Sequence, residues 1–251
     1  MEEIVVAGID GCRGGWCLVT GRGLQCALKI EVTVHTTFAL AVDAAKDALH
    51  VAVDIPIGLG ESGSRACDLV ARQALGVRWM CVFSAPPRPV LVAETYSEAS
   101  RIHRELCSKG MSRQAFGIMP KIAEVDHYLR SQPGSAERVW ELHPEISFAA
   151  LNGGVPLLLG KATKDGLRAR RGLLRRFVSG LDVAVAFALE TWPRRLLKED
   201  DVLDAVVACV TAATWRPEAT ISVVGEERDA CGLPIQMRRP SPRKGDARRS
   251  P

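Results

Sequence analysis

The sequence has few aromatic residues, no closely spaced cysteine pair and no long apolar run. Phe, Trp and Tyr make up 5% of the 251 residues, so the aromatic platforms on which single-strand binders stack bases are not apparent. The eight cysteines include no Cys-x-x-Cys pair, which argues against the common zinc and thiol-redox motifs. No apolar segment approaches the roughly 20 residues that cross a bilayer. We expect no membrane partner.

The start of the sequence does not have the pattern of a secretory signal, and residues 1–237 are not basic overall. The chain starts with the acidic residues Glu2 and Glu3, whereas a secretory signal starts with a basic and then an apolar segment. We therefore expect a cytoplasmic protein. The net charge of +4 arises from residues 238–251, which hold six Arg or Lys and one Asp. Because this segment has no core face, it is predicted to be a disordered basic tail.

The rest of the chain has the composition of one globular domain. Hydrophobic residues make up 47% and charged residues 25% of the sequence, as in folded proteins. A chain of this length fits one large core better than two small ones. We predict a single domain over residues 1–237, with an insertion around residues 60–135.

The order of apolar segments predicts a mixed sheet. Three strands, near residues 4–10, 16–20 and 25–34, form a meander through glycine-rich turns, a helix follows over 37–49, and a fourth strand follows at 50–57. A right-handed crossover places this fourth strand parallel to the first and beside it. With a fifth strand at 138–142, we predict a mixed five-stranded sheet with helices on both faces, and Asp10 next to Asp54.

Asp10 and Asp54 end apolar strands, where a carboxylate is costly unless it is paired or binds a cation. Asp10 alone is explained equally well as a turn-capping residue before Gly11. Two adjacent carboxylates raise each other's pKa, or they bind a cation that keeps both ionised. The pair therefore indicates a metal site.

Further acids and a histidine follow at two later places. Asp201 and Asp204 share one face of the last predicted helix, where Asp201 is also explained as a cap of the helix start and Asp204 is not. Glu141, His143 and Glu145 follow the fifth strand and are candidate ligands or bases, although an isolated histidine is more often structural.

The candidate ligands favour hard cations. Carboxylate oxygens suit Mg²⁺ or Mn²⁺ better than zinc, and two such ions could flank a phosphodiester. The candidate metal ligands are Asp10, Asp54, Asp201 and Asp204.

Five basic side chains are candidate substrate contacts, because guanidinium and ammonium groups suit phosphates. Two of them share a helix face with Asp68, which a surface salt-bridge ladder explains equally well; another lies at a predicted helix start. The five are Arg13, Arg65, Arg72, Arg88 and Lys121. A further arginine cluster over residues 168–176 is typical of a solvated helix face.

Six segments, in this order along the chain, resemble those of a family of uncharacterised proteins regarded as RNase H-like nucleases, the domain of unknown function 429 family. They are GIDGCRGGW (8–16), DIPIGL (54–59), VFSAPPR (82–88), PKIAEVD (120–126), ELHPE (141–145) and DVLDA (201–205). The resemblance covers about residues 4–236.

The resemblance implies a ribonuclease H-like fold and metal-dependent cleavage of nucleic acid. Asp10, Asp54 and Asp204 would be metal ligands, with Glu141, His143 or Glu145 assisting. One fold hosts many functions, so the activity depends on these site residues and not on the fold alone.

Two alternatives compete with a nuclease. A nucleic-acid- or protein-binding module of the same fold would have no use for clustered acids unless metal were present. A phosphotransferase like actin or the sugar kinases needs two such domains around its nucleotide, whereas this chain has room for one. In that superfold a hydroxyl-rich phosphate turn would also stand where this sequence has Cys12 and Arg13.

Overall fold

A computed structural model describes residues 3–221 and 227–241 and divides the chain into two compact units. Unit 1 consists of Met1–Asp54, Arg138–Thr220 and Arg238–Pro251, and unit 2 of Ile55–Glu137 and Ile221–Met237. Unit 2 begins before the predicted insertion and takes in a second segment near the C-terminus. That the chain forms a single domain with an insertion stays a prediction.

Unit 1 contains a five-stranded sheet in the order β3-β2-β1-β4-β5. Its strands are β1 (Ile4–Cys12), β2 (Gly15–Leu24), β3 (Ala27–His35), β4 (Val51–Val53) and β5 (Val139–Glu141). The first three pair antiparallel, and β4 runs parallel to both β1 and β5. The predicted mixed five-stranded sheet is confirmed.

Helices cover both faces of this sheet. They are α1 (Phe38–Ala44), α6 (Pro144–Leu151), α7 (Lys164–Leu174), α8 (Leu181–Thr191) and α9 (Glu199–Thr214). Helix α9 packs on β1, where a Cβ on Gly8 would lie 2.1 Å from the backbone nitrogen of Cys209. On β2, Gly21 also faces Cys209, whereas the ring centroid of Trp16 lies 5.1 Å from that of Phe38 in α1. Because side chains alternate along a strand, α1 and α9 lie on opposite faces.

Helices α1 and α9 start close to their predicted positions. Thr37 accepts a hydrogen bond from the backbone nitrogen of Leu40 at the start of α1. Helix α9 begins at Glu199, two residues earlier than the pattern predicts.

No helix in the described part of the chain is both long and apolar enough to span a bilayer.

Unit 2 is helical over most of its length. Its helices are α2 (Ala66–Leu75), α3 (Tyr96–Cys107) and α4 (Arg113–Ser131), with 3₁₀ turns at Gly76–Cys81 and Arg88–Val92. The prediction that Lys121 lies at a helix start is wrong, because α4 starts at Arg113 after the cap Ser112 and contains Pro120. A short helix α5 (Ser135–Arg138), a 3₁₀ turn at Pro217–Ala219 and two short strands, β6 (Thr220–Ile221) and β7 (Met237–Arg238), complete the secondary structure of the described residues.

The first residues of the predicted tail have defined positions in unit 1. The guanidinium carbon of Arg238 lies 4.0 Å from the ring centroid of Trp215, and the backbone nitrogen of Ser241 donates to the carbonyl of Thr214. The hydrophobic pattern of the sequence does not predict these contacts, because an arginine that packs on an aromatic ring produces no apolar periodicity. Residues 242–251 lie outside the described residues.

Candidate active site

Three carboxylates of unit 1 meet at the end of β1, β4 and the first turns of α9. Asp10 is on the same face of β1 as Gly8, the face that packs on α9. Strand β4 pairs Val53 with Ile9, and the backbone nitrogen of Asp54 donates to the Ile9 carbonyl over 3.0 Å. Parallel pairing therefore brings Asp54 beside Asp10.

Asp204 joins this pair because α9 approaches β1 very closely. A Cβ at position 8 would lie 2.2 Å from the carbonyl oxygen of Ala205 in this helix. Only glycine permits this approach. It brings the first turns of α9, with Asp204, to the strand end that carries Asp10. We call Asp10, Asp54 and Asp204 the acid cluster.

The acid cluster has too few positively charged partners to favour the ionised form of all three carboxylates. Burial, and then the carboxylates of Asp54 and Asp204, raise the pKa of Asp10 well above its usual value. Burial, and then Asp204, raise the pKa of Asp54 to about 8. Burial also raises the pKa of Asp204 to about 6, although a nearby lysine acts in the opposite direction. Such shifts in a cluster of acids are typical of functional sites.

That lysine is Lys161, whose Nζ lies 2.7 Å from Oδ2 of Asp204. Burial alone lowers the pKa of Lys161, but Asp204, Asp10 and Asp54 raise it well above its usual value. The Lys161 side chain is 46% exposed, whereas that of Asp204 is 1% exposed. The other oxygen of Asp204, Oδ1, is buried and has no hydrogen-bond partner among the described residues.

Asp201 has a capping role at the start of α9. Its Oδ2 accepts a hydrogen bond from the backbone nitrogen of Lys198 over 3.0 Å, which is the alternative explanation that the sequence left open. Burial raises its pKa, and its charge also acts on Asp10. That Asp201 binds a metal stays a prediction.

Glu145 forms a buried ion pair with Arg170. Arg170 is fully buried and also donates to the carbonyls of Leu159 and Gly166, at 3.3 and 3.2 Å. The expectation that the arginine cluster lies on a solvated helix face is therefore wrong for Arg170. The ion pair with this fully buried guanidinium gives Glu145 a structural role, and its catalytic role stays a prediction.

Glu141 and His143 lie close to the acid cluster along the chain. Glu141 pairs with Val53 in the sheet, so alternation gives it the face opposite to that of Asp54, yet its charge still raises the pKa of Asp54. His143 is the residue before α6 and is partly buried. Their catalytic roles stay predictions.

The acid cluster fits a hard divalent cation in its donor chemistry. It offers carboxylate oxygens, the ligands that Mg²⁺ and Mn²⁺ prefer, and one buried oxygen without a donor. Within residues 3–221 and 227–241, no group of three or more His, Cys, Asp or Glu has the arrangement of a complete metal site. Binding an ion would therefore require the side chains to move together, and Lys161 to move away from Asp204.

Two of the predicted substrate contacts are engaged inside unit 2. Arg65 is buried and donates to Asp68 and to the Ile57 carbonyl. Arg88 donates to Asp126, over 2.8 Å, and to Asp229. A phosphate contact requires a guanidinium with a solvent-accessible edge, so these two arginines would have to leave their present partners to bind one. Substrate contact by Arg65 and Arg88 stays a prediction.

The other three predicted contacts are accessible to different degrees. Arg13 is exposed in the turn between β1 and β2, three residues after Asp10. Arg72 is partly exposed, and its Nε donates to the Val82 carbonyl over 2.8 Å. Lys121 is partly exposed within α4. Substrate contact by these residues stays a prediction.

Sequence reasoning missed Lys161 and misjudged Arg170. Lys161 lies between α6 and α7 in a segment without periodicity, so no sequence signal could have found it. A signal for Arg170 existed, because Gly166, Arg170 and Leu174 are the buried residues of α7 and are spaced four apart.

The comparisons with known proteins identify a family but no characterised relative. Residues 8–229 match the family described as "Protein of unknown function (DUF429)". This is the family that the six sequence segments resemble. No curated protein and no solved structure matches the chain.

Proposed function

The chain belongs to the DUF429 family, whose function is unknown, and we infer its chemistry from its own residues. We propose that it is a Mg²⁺- or Mn²⁺-dependent nuclease with a ribonuclease H-like fold. The acid cluster carries this proposal. Two buried carboxylates, Asp10 and Asp204, and the partly buried carboxylate of Asp54 share one partly exposed lysine. When ionised, such a group repels a phosphate unless a cation is bound.

The topology of unit 1 supports the fold part of the proposal. An antiparallel meander β1-β2-β3 is followed by a helix and then by β4 and β5, which run parallel to β1. The acids lie where parallel strands end, as ligand sites of open α/β sheets usually do. The motif resemblance points to the same fold.

The residues of the acid cluster would hold the ion, and the remaining groups would act on the substrate. The bound ion would supply a water of lowered pKa and neutralise charge on the phosphate. Asp10, Asp54 and Asp204 would bind it through their carboxylates. Arg13, exposed next to this strand end, would bind a phosphate of the nucleic-acid backbone.

Asparagine substitutions in the acid cluster test the proposal. Asp10→Asn and Asp54→Asn keep the side-chain shape and remove the charge that binds the ion, so we expect both to abolish cleavage and leave the fold intact. The assay offers single-stranded, duplex, hybrid and branched substrates with Mg²⁺ or Mn²⁺. Asp165→Asn is the matched control, since this carboxylate is 70% exposed in unit 1 and its loss should leave activity unchanged.

Undiminished activity in Asp10→Asn would contradict the metal mechanism. Absence of activity on every substrate would favour the binding module instead. The ion pair of Lys161 with Asp204 favours that second candidate, because it neutralises one acid without any metal. The described residues contain one five-stranded sheet, so they lend no support to the two-domain phosphotransferase.

A further inference from the structure

Lys161 is the cation that contacts the acid cluster in the described part of the chain. Its Nζ binds Oδ2 of Asp204 over 2.7 Å, and its charge also acts on Asp10 and Asp54. Arg170 is a second basic residue that lowers the pKa of Asp204, but it is paired with Glu145. The ammonium of Lys161 thus lies where a metal ion would neutralise the same carboxylates.

Lys161 can leave this position without disturbing the core. It precedes α7, in a segment that forms neither helix nor strand, and its side chain is 46% exposed. A flexible lysine side chain with an exposed stem exchanges one partner for another at little packing cost. Arg170, by contrast, is fully buried and cannot move in this way.

Asp204 is only half satisfied by this lysine. Oδ2 accepts from Lys161, whereas Oδ1 is buried and has no hydrogen-bond partner among the described residues. A buried charged oxygen without a donor is costly. A divalent ion would satisfy it, but repulsion from the ammonium opposes that ion while Lys161 remains in place.

We propose that Lys161 is a resident counter-ion of the acid cluster, which a divalent cation must displace and which then pairs with the substrate phosphate. This inference rests on the proposed function and adds how metal binding at the acid cluster is regulated. An anionic substrate stabilises the displaced ammonium, so substrate and metal bind cooperatively, and each raises the affinity for the other by the same factor. Until both are present, Lys161 offsets part of the negative charge of the acid cluster.

Direct measurement of Mn²⁺ binding tests this inference without relying on catalysis. The full chain is titrated with Mn²⁺, and the free ion is followed by electron paramagnetic resonance. Lys161→Met removes the competing charge and keeps the side-chain length, so we expect Mn²⁺ to bind about tenfold more tightly than in the unsubstituted protein. Lys161→Arg keeps the charge and should bind Mn²⁺ with nearly the original affinity.

Lys164→Met is the matched control. Lys164 is an exposed lysine three residues away, at the start of α7, so the same loss of charge should change Mn²⁺ affinity less than twofold if contact with the acid cluster is what matters. Circular dichroism of each variant establishes that it is folded.

The outcomes separate the two proposals. If Mn²⁺ binds the unsubstituted protein and binds Lys161→Met no more tightly, the counter-ion role is overturned and the proposed function stands. If Mn²⁺ binds none of the folded variants at millimolar concentration, both fall. Tighter binding in Lys161→Met, combined with slower cleavage, supports both the displacement and the contact with phosphate.

Discussion

The two units of the chain each contain a group of buried or partly buried aspartates, and the two groups differ in how their charge is matched. In unit 2, Asp126 and Asp229 both bind Arg88. In unit 1, the three carboxylates of the acid cluster share Lys161.

The group in unit 2 has a donor for nearly every acceptor. Asp229 binds Arg88 and also accepts backbone hydrogen bonds from Leu59, Cys231 and Leu233, at 2.8 to 2.9 Å. Burial acts to raise the pKa of Asp229, but these hydrogen bonds, with that from Arg88 first, bring it below its usual value. The carboxylate is stabilised in its ionised form and holds loops together.

The acid cluster of unit 1 shows the opposite balance. Burial and mutual repulsion raise the pKa of Asp54 to about 8, and Asp204 keeps an oxygen without a donor among the described residues. The number of acids is similar in the two groups, so it does not separate them. The ratio of donors to acceptors does, and the excess of acceptors in unit 1 is what the proposed cation would satisfy.

The largest effect that this comparison predicts is on stability in unit 2. Arg88→Met should lower the free energy of unfolding by about 3–5 kcal/mol, because it leaves Asp126 and Asp229 buried without their shared cation. Urea denaturation of the purified variant measures it. A loss below about 1 kcal/mol would show that Arg88 is not needed to neutralise these acids and would remove the contrast between the units.

The sheet and part of the acid cluster could be predicted because local patterns determine them. The apolar strand ending in Asp10, the glycine turn after it and the crossover rule are enough to place Asp54 beside it. Asp204 followed from its spacing with Asp201 in one amphipathic helix. Each of these inferences uses residues close together in sequence or a general topological rule.

The rest depends on contacts between distant segments. Lys161 lies 43 residues from Asp204 in the sequence and in a segment without periodicity. The sequence predicts Arg65 and Arg88 as phosphate contacts, because arginine commonly binds phosphate. Only the tertiary structure shows that they bind aspartates, namely Asp68, Asp126 and Asp229. The start of α4 was missed because Pro120 lies inside this helix, where prolines are uncommon.

A smaller effect is expected at Asp54, and its sign is opposite to that of Arg88→Met. The pKa of Asp54 is about 8 in the folded protein and about 3.9 in an unfolded chain, so the folded state binds the proton more tightly. This stabilisation is complete below about pH 4 and is lost as the pH rises through about 8.

Asp54→Asn should therefore be more stable than the unsubstituted protein at pH 9, by on the order of 1 kcal/mol, and should lose less stability between pH 5 and pH 9. Thermal unfolding with EDTA, at pH 5, 7 and 9, measures the difference, and Asp165→Asn is again the control. Parallel pH profiles of Asp54→Asn and the unsubstituted protein would mean that Asp54 is already ionised and that its charge is matched, as in unit 2.

The smallest effect is expected for an exposed ion pair of unit 2, which separates the role of burial from that of distance. Arg101 and Glu105 approach to 2.8 Å, the same distance as Arg88 and Asp126, but their side chains are 59% and 60% exposed, compared with 13% and 7% for the buried pair. Solvent screens the exposed pair, so a double-mutant cycle with Arg101→Gln and Glu105→Gln should give a coupling of about 0.3–0.5 kcal/mol. This coupling should shrink further in 1 M salt, where the Debye length is about 3 Å. A coupling as large as the loss caused by Arg88→Met would show that proximity alone stabilises ion pairs in this protein, and the donor balance would then no longer explain why the two groups of aspartates differ.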